Sequence, residues 1–233
     1  MPPWMRPIAE RLSPMIRNII IVEAVIFALY VMAAPLRERI TSHLGLGPRL
    51  LSGEVWQLIT SLFVHTDALN FIFTLIGLWF VGATIERVFG RRRFILLFFG
   101  TGLVANLVIT GVMILFSKPL YGEGCGDSVL ALFVAFGVAY GRTPTRVLGP
   151  LVLQARVLAW VFVGWAVLAL MLQLPASWPY LVSTLIAQGV AYLLAGGKVG
   201  VLSEFFAGVQ GKPRTKFDVL DGGRRKDKDK YVN

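Results

Sequence analysis

Few side chains in this sequence could carry out chemistry, and their types exclude most of it. There are two histidines, His43 and His65, and a single cysteine, Cys125. One cysteine forms no internal disulfide, and with so few nitrogen and sulfur ligands neither a metal site nor a bound cofactor is expected. Three polar residues, Glu23, Asn106 and Asp127, fall within long apolar stretches, where ionisable groups are costly and invite a functional reading. Glu23 can snorkel or pair with Arg17, and Asp127 can serve as the N-cap of the helix it opens. Glu86 and Arg87 end an apolar stretch just before Arg91-Arg92-Arg93, so an interfacial ion pair holding that turn is expected. His65 is expected as a hydrogen-bonded residue packing the loop before the second apolar stretch. Gly124 and Gly126 free the backbone for a sharp turn ahead of Asp127.

The elements that must position these groups are membrane spans. Hydrophobic residues make up 56% of the 233 and charged ones only 15%, with a mean hydropathy of +0.69. Soluble domains carry roughly 25% charged residues, so a polytopic all-α membrane helix bundle is predicted. Its spans fall near residues 18–34, 68–88, 94–116, 127–140, 157–174 and 181–195, giving six transmembrane helices. Residues 1–17 form a basic N-terminus with no sign of a cleavable leader. Residues 36–64 suit an interfacial, partly helical loop, and 198–233 a basic tail expected to be disordered. The formal charge of +10 sits between and after the apolar stretches. That pattern points to the lipid bilayer as partner and away from nucleic acid. The basic residues place both termini in the cytoplasm, with Trp178 and Tyr180 as interfacial anchors. Ala187, Ala191 and Ala195 give the last helix a smooth face for close approach to a neighbour.

Several motifs fall in a fixed order. Gly53-Glu54-Val55-Trp56-Gln57 is followed by Phe63-Val64-His65, then by Gly82, Glu86-Arg87 and Gly90. Gly124-Cys125-Gly126-Asp127 and Ala187-Gln188 complete the series. In this order the chain resembles the rhomboid family of intramembrane serine proteases and their inactive relatives, over about residues 18–197. The resemblance implies a serine at the start of the fourth helix and a histidine on the sixth. A hydroxyl is a weak nucleophile until a base within hydrogen-bond reach takes its proton.

At those two positions the sequence has Gly126 and Gln188. Glycine has no nucleophile and an amide does not exchange a proton near neutral pH; losing such a pair costs on the order of a million-fold in rate. The rival nucleophile Ser128 lies two residues beyond, about 200° around a helix, and faces away. His65, Asn70 and Thr74 stand in the family's former oxyanion region, where Asn70 and Thr74 depart from its usual residues, and Gln57 departs likewise in the loop. The resemblance therefore implies a pseudoprotease that binds the transmembrane helices of client proteins, with an active endopeptidase using Ser128 as the alternative. A bacterial inner membrane is expected ahead of an endomembrane. A transporter or channel is less well supported, because no paired broken-helix pattern is present.

Overall fold

The computed structural model describes residues 12–141, 143–148 and 151–196. The basic tail, and Arg6 and Arg11 of the N-terminus, lie outside the described residues. The first helix, α1 (Pro14–Met32), starts earlier than apolar periodicity alone places it. Ser13 caps it, accepting a hydrogen bond from the Ile16 backbone at 3.2 Å, and Pro14 takes the first turn, where no N–H is needed. The chain breaks at Ala33, and Pro35 sits in the first turn of α2 (Ala34–His43) rather than closing α1. Short helical turns at Pro48–Ser52, Gln57–Thr60 and Ser61–Phe63 complete the partly helical connection.

The second apolar stretch is α3 (Ala68–Phe89), and the third is α4 (Arg91–Phe116). Asp67 caps α3 through the Asn70 N–H at 2.7 Å. Each contains one π-helical turn, at Leu78–Gly82 and Leu96–Gly100. Gly90 joins them with φ +81°, a conformation that a side chain would strain. Then come α5 (Gly126–Tyr140), α6 (Ala155–Met171) and α7 (Trp178–Leu194). An antiparallel hairpin of β1 (Pro144–Leu148) and β2 (Leu151–Gln154) joins α5 to α6, pairing Thr145 with Leu153 and Arg146 with Val152. That segment is only a basic connection in the sequence reading; the remaining described elements are helical. Three of the helices, α1, α3 and α4, are long and apolar enough to cross a membrane, and α5, α6 and α7 are shorter apolar helices.

α5 is the hub, packed by α3, α4, α6 and α7. Its Val129, Leu132, Phe133 and Phe136 join Leu78, Ile85, Phe94 and Phe98 in one core. The opposite faces of the surrounding helices carry Phe73, Phe80, Trp160 and Trp165, all more than half exposed, as lipid-facing surfaces do. Lipid tails supply no hydrophobic drive between helices, so contact depends on small residues that allow close approach. Ala187 and Ala191 on α7 are fully buried, as the spacing predicts. Gly82 lies where Ile16, Phe94 and Leu132 converge.

Gly102 on α4 and Gly77 on α3 make equally tight approaches to α5. A Cβ on Gly102 would stand 2.5 Å from Ser128 Oγ and 2.7 Å from Leu62 Cδ2. Gly102→Ala should therefore destabilise the bundle by roughly 1–3 kcal/mol. Gly111→Ala, on the same helix with nothing nearby, should be neutral or slightly stabilising. Thermal unfolding of both variants in detergent checks the contrast.

Candidate functional site

The chain enters α5 through a turn built on Gly124, whose φ is +80°. Its N–H donates to the Ser61 carbonyl at 2.9 Å, tying the turn to the loop before α3. His65 packs against the same glycine: a Cβ on Gly124 would lie 3.4 Å from the imidazole. Gly126, by contrast, is already helical and needs no special backbone freedom. Gln188 reaches this turn from α7, its Nε2 donating to the Asp127 carbonyl at 3.1 Å. Of the two positions that the motif order singles out, Gly126 opens α5 and Gln188 of α7 bonds to the next residue, Asp127.

Above them is a cavity of about 620 Å³. The start of α5 forms its floor, with Gly126 and Asp127. Asn70 of α3 and Asn106 of α4 line it, as do Ala166 and Leu170 of α6 and Thr184 of α7. Ser128 does not line this cavity. Its side chain is fully buried and points to Gly102 and Leu62, and its Oγ has no hydrogen-bond partner. The rotation predicted from helix geometry holds: Ser128 and the cavity lie on different sides of α5.

Four expectations for the polar residues need correction. Glu23 neither snorkels nor pairs with Arg17; it lies mid-helix and fully buried, and accepts a hydrogen bond from Cys125 Sγ at 3.2 Å. Burial makes a contact within the bundle the only one available to it. Asp127 is not the N-cap of α5. Cys125 occupies that position without a side-chain bond, and Asp127 follows in the first turn beside Thr184 and Gln188. Glu86 forms no ion pair with Arg87 or the arginine turn. Arg87 is exposed, Arg93 lies over the Phe89 ring at 5.4 Å, and Glu86 Oε2 is buried without a partner. His65 is buried with neither ring nitrogen hydrogen-bonded, set edge-on to Phe71 at 5.5 Å.

The three residues that the resemblance assigns to an oxyanion region also separate. Asn70 lines the cavity and His65 abuts the turn, but Thr74 is buried and does not line it. The loop motif has a structural task. Gln57 is fully buried; its Oε1 accepts from the Gly47 N–H at 3.0 Å, and its Nε2 donates to Ser42 O and Glu54 Oε2. Trp56 Nε1 donates to the His43 carbonyl at 2.9 Å. Among the described residues Glu54 pairs with Arg49 at 3.6 Å and is hydrogen-bonded to His43 Nδ1 at 3.0 Å. Sequence reasoning missed this knot, although Arg49 and Glu54 stand close enough in the loop to suggest pairing. Among the described residues no cluster of His, Cys, Asp and Glu could hold a metal.

A Rhomboid domain family model matches residues 52–195, well over half of the chain. The chain is 29% identical over 132 residues to the putative rhomboid protease YdcA of Bacillus subtilis (strain 168), covering 55% of this chain and 62% of that protein. It is 32% identical over 89 residues to Rhomboid-like protease 2 of Toxoplasma gondii, covering 37% and 28%. To Rhomboid protease GluP of Bacillus subtilis it is 31% identical over 58 residues, covering 25% and 11%. The chain therefore spans less than two thirds of the length of each of these relatives.

Burial lowers the His65 pKa below its ordinary 6.5, and the Phe63 backbone offsets this only in part, without closing a hydrogen bond. The folded state holds His65 neutral while the unfolded chain takes up a proton near pH 6.5. Its contribution is therefore present above that pH and is lost as pH falls towards the folded pKa. Unfolding midpoints measured between pH 7.5 and 5 should fall with acid for the wild type. The His65 share of that slope should be absent in His65→Phe.

Proposed function

This chain belongs to the rhomboid family, and on that footing we propose that it is a pseudoprotease that binds transmembrane client proteins without cleaving them. It is an integral membrane protein of the rhomboid serine protease fold. The observation that carries the proposal lies at the head of α5. Gly126 lines the cavity and offers no nucleophile, and the α7 side chain that reaches this turn is the Gln188 amide, 3.1 Å from the Asp127 carbonyl. A serine and a histidine at those two places would form the dyad of the family's chemistry. A glycine and a glutamine leave a cavity that can hold a polypeptide but has no means of attacking it.

The cavity suits client binding. Its walls come from α3 and α6, the second and fifth of the apolar helices, between which the family's clients enter. We place six spans in the membrane with both termini cytoplasmic, in a bacterial inner membrane ahead of an endomembrane, following the distribution of arginines and lysines. The rival reading is an active intramembrane endopeptidase using Ser128, and the word protease in the names of all the relatives favours it. Against it stands the burial of Ser128 Oγ under Gly102, with no base beside it.

The test combines two measurements on the purified protein in proteoliposomes. A fluorophosphonate should label neither wild type nor Ser128→Ala, and a single-span client helix should be recovered intact by photo-crosslinking. Ala166→Trp, which fills the cavity from α6, should reduce that recovery by about tenfold, equivalent to roughly 1.4 kcal/mol. Labelling that disappears in Ser128→Ala would establish the rival reading. Recovery unchanged by Ala166→Trp would remove the cavity from client binding.

A further inference from the structure

The cavity at the head of α5 has an unusual charge balance. The chain as a whole carries +10, yet the described residues lining the cavity include two carboxylates, Glu123 and Asp127, and no lysine, arginine or histidine. Glu123 is exposed and accepts a hydrogen bond from Thr66 through one oxygen; among the described residues its other oxygen has no hydrogen-bond partner.

Three of the lining hydroxyls are committed to backbone carbonyls. Tyr180 donates to the Tyr121 carbonyl at 2.7 Å, Ser183 to the Tyr180 carbonyl at 2.9 Å, and Ser177 to the Leu170 carbonyl. A hydroxyl that donates to backbone presents only its lone pairs elsewhere.

Asn106 gives an independent sign of the same preference. It lines the cavity and is only 7% exposed. Its Nδ2 donates to the Leu58 carbonyl at 2.8 Å and to Ser61 Oγ at 2.9 Å, which leaves Oδ1 without a partner. That oxygen lies on the side of Gly122, itself a lining residue: a Cβ there would be 3.8 Å from it. An acceptor left open in a cavity that also carries two carboxylates suits a ligand that donates.

We propose that this cavity binds a cationic donor, the ammonium or guanidinium group of a lysine or arginine near the outer end of a client transmembrane segment. Such groups carry donors and no acceptor, which complements a lining of carboxylates and open lone pairs. Apolar walls at Ile109, Leu130 and Leu170 would take the aliphatic stem, as long basic side chains require. A basic residue is costly in hydrocarbon, so a segment that carries one gains from a place where it is paired. The proposal rests on the client-binding reading and names the feature by which clients are chosen.

The test uses the full chain in proteoliposomes with two photo-crosslinkable single-span helices, identical except for one Lys or one Gln near the outer end. Wild type should recover the Lys helix about tenfold over the Gln helix, as expected for a charge-assisted bond out of water. Glu123→Gln should reduce that ratio, Asp127→Asn should bring it close to one, and Asp127→Glu should keep it. Unfolding midpoints of the variants show that each is folded, and Glu123→Gln, near the surface, keeps the test open if Asp127→Asn is not.

Equal recovery of both helices by wild type would overturn the cation preference and leave client binding standing. Recovery of neither would overturn both. A ratio unchanged in a folded Glu123→Gln/Asp127→Asn double variant would place the recognition elsewhere and overturn the site. Equal recovery together with spermidine binding that Asp127→Asn abolishes would assign the cavity to a soluble amine, and would overturn the assignment to clients.

Discussion

The architecture depends on one short helix held on every side. α5 has 15 residues, about 22 Å of rise, whereas a bilayer core is about 30 Å thick. Its rise alone is shorter than that thickness. Its neighbours extend past its N-terminus, and the space they enclose above it is the cavity. The polar residues of the site collect there because the first N–H groups of a helix and the turn that feeds it must be satisfied by something. The sharp turn at Gly124, the tie from its N–H to Ser61 and the arrival of Gln188 at Asp127 all answer that requirement.

Holding α5 in place is a matter of shape. Gly77 on α3, Gly102 on α4 and Ala159 on α6 each lie where an added or enlarged side chain would collide, with Val129, Ser128 and Gly137 as their respective neighbours on α5. Polar bonds then fix the register. Asn106 holds α4 to the Leu58–Ser61 loop, and Cys125 joins the head of α5 to Glu23 of α1. The loop is in turn held by Gln57, whose three hydrogen bonds join Ser42, Gly47 and Glu54 into one unit. Leaving a buried partner of such a network unsatisfied costs about 1–3 kcal/mol per group. The loop and the cavity rim are therefore one rigid piece.

The apolar helices were legible because their signal is local: a run of apolar residues long enough to meet lipid is visible in any window of the chain. The faces were legible where spacing alone sets them, as at Ala187 and Ala191 and in the opposition of Ser128 and Gly126. The partners of the polar residues were not legible. Glu23 and Cys125 are 102 residues apart, Gln188 and Asp127 61, and Asn106 and Ser61 45, so no local pattern contains either end with the other. Glu86 and the arginine turn erred in the opposite direction. They are near neighbours in sequence, but Gly90 turns the chain so that Arg93 meets Phe89 instead. The start of α1 was available in Ser13-Pro14, a capping signal that apolar counting overlooks.

The bond between Glu23 and Cys125 also has a history. On a ribosome the carboxyl group is made 102 residues before the thiol that receives it, a wait of roughly 5–20 s at ordinary elongation rates. During that interval α1 has no partner inside the bundle for a group in the middle of its apolar length. This one contact of α1 therefore closes only after the head of α5 has been synthesised, later than the contacts of Ile16 and Ile19 with the core residues that precede α5.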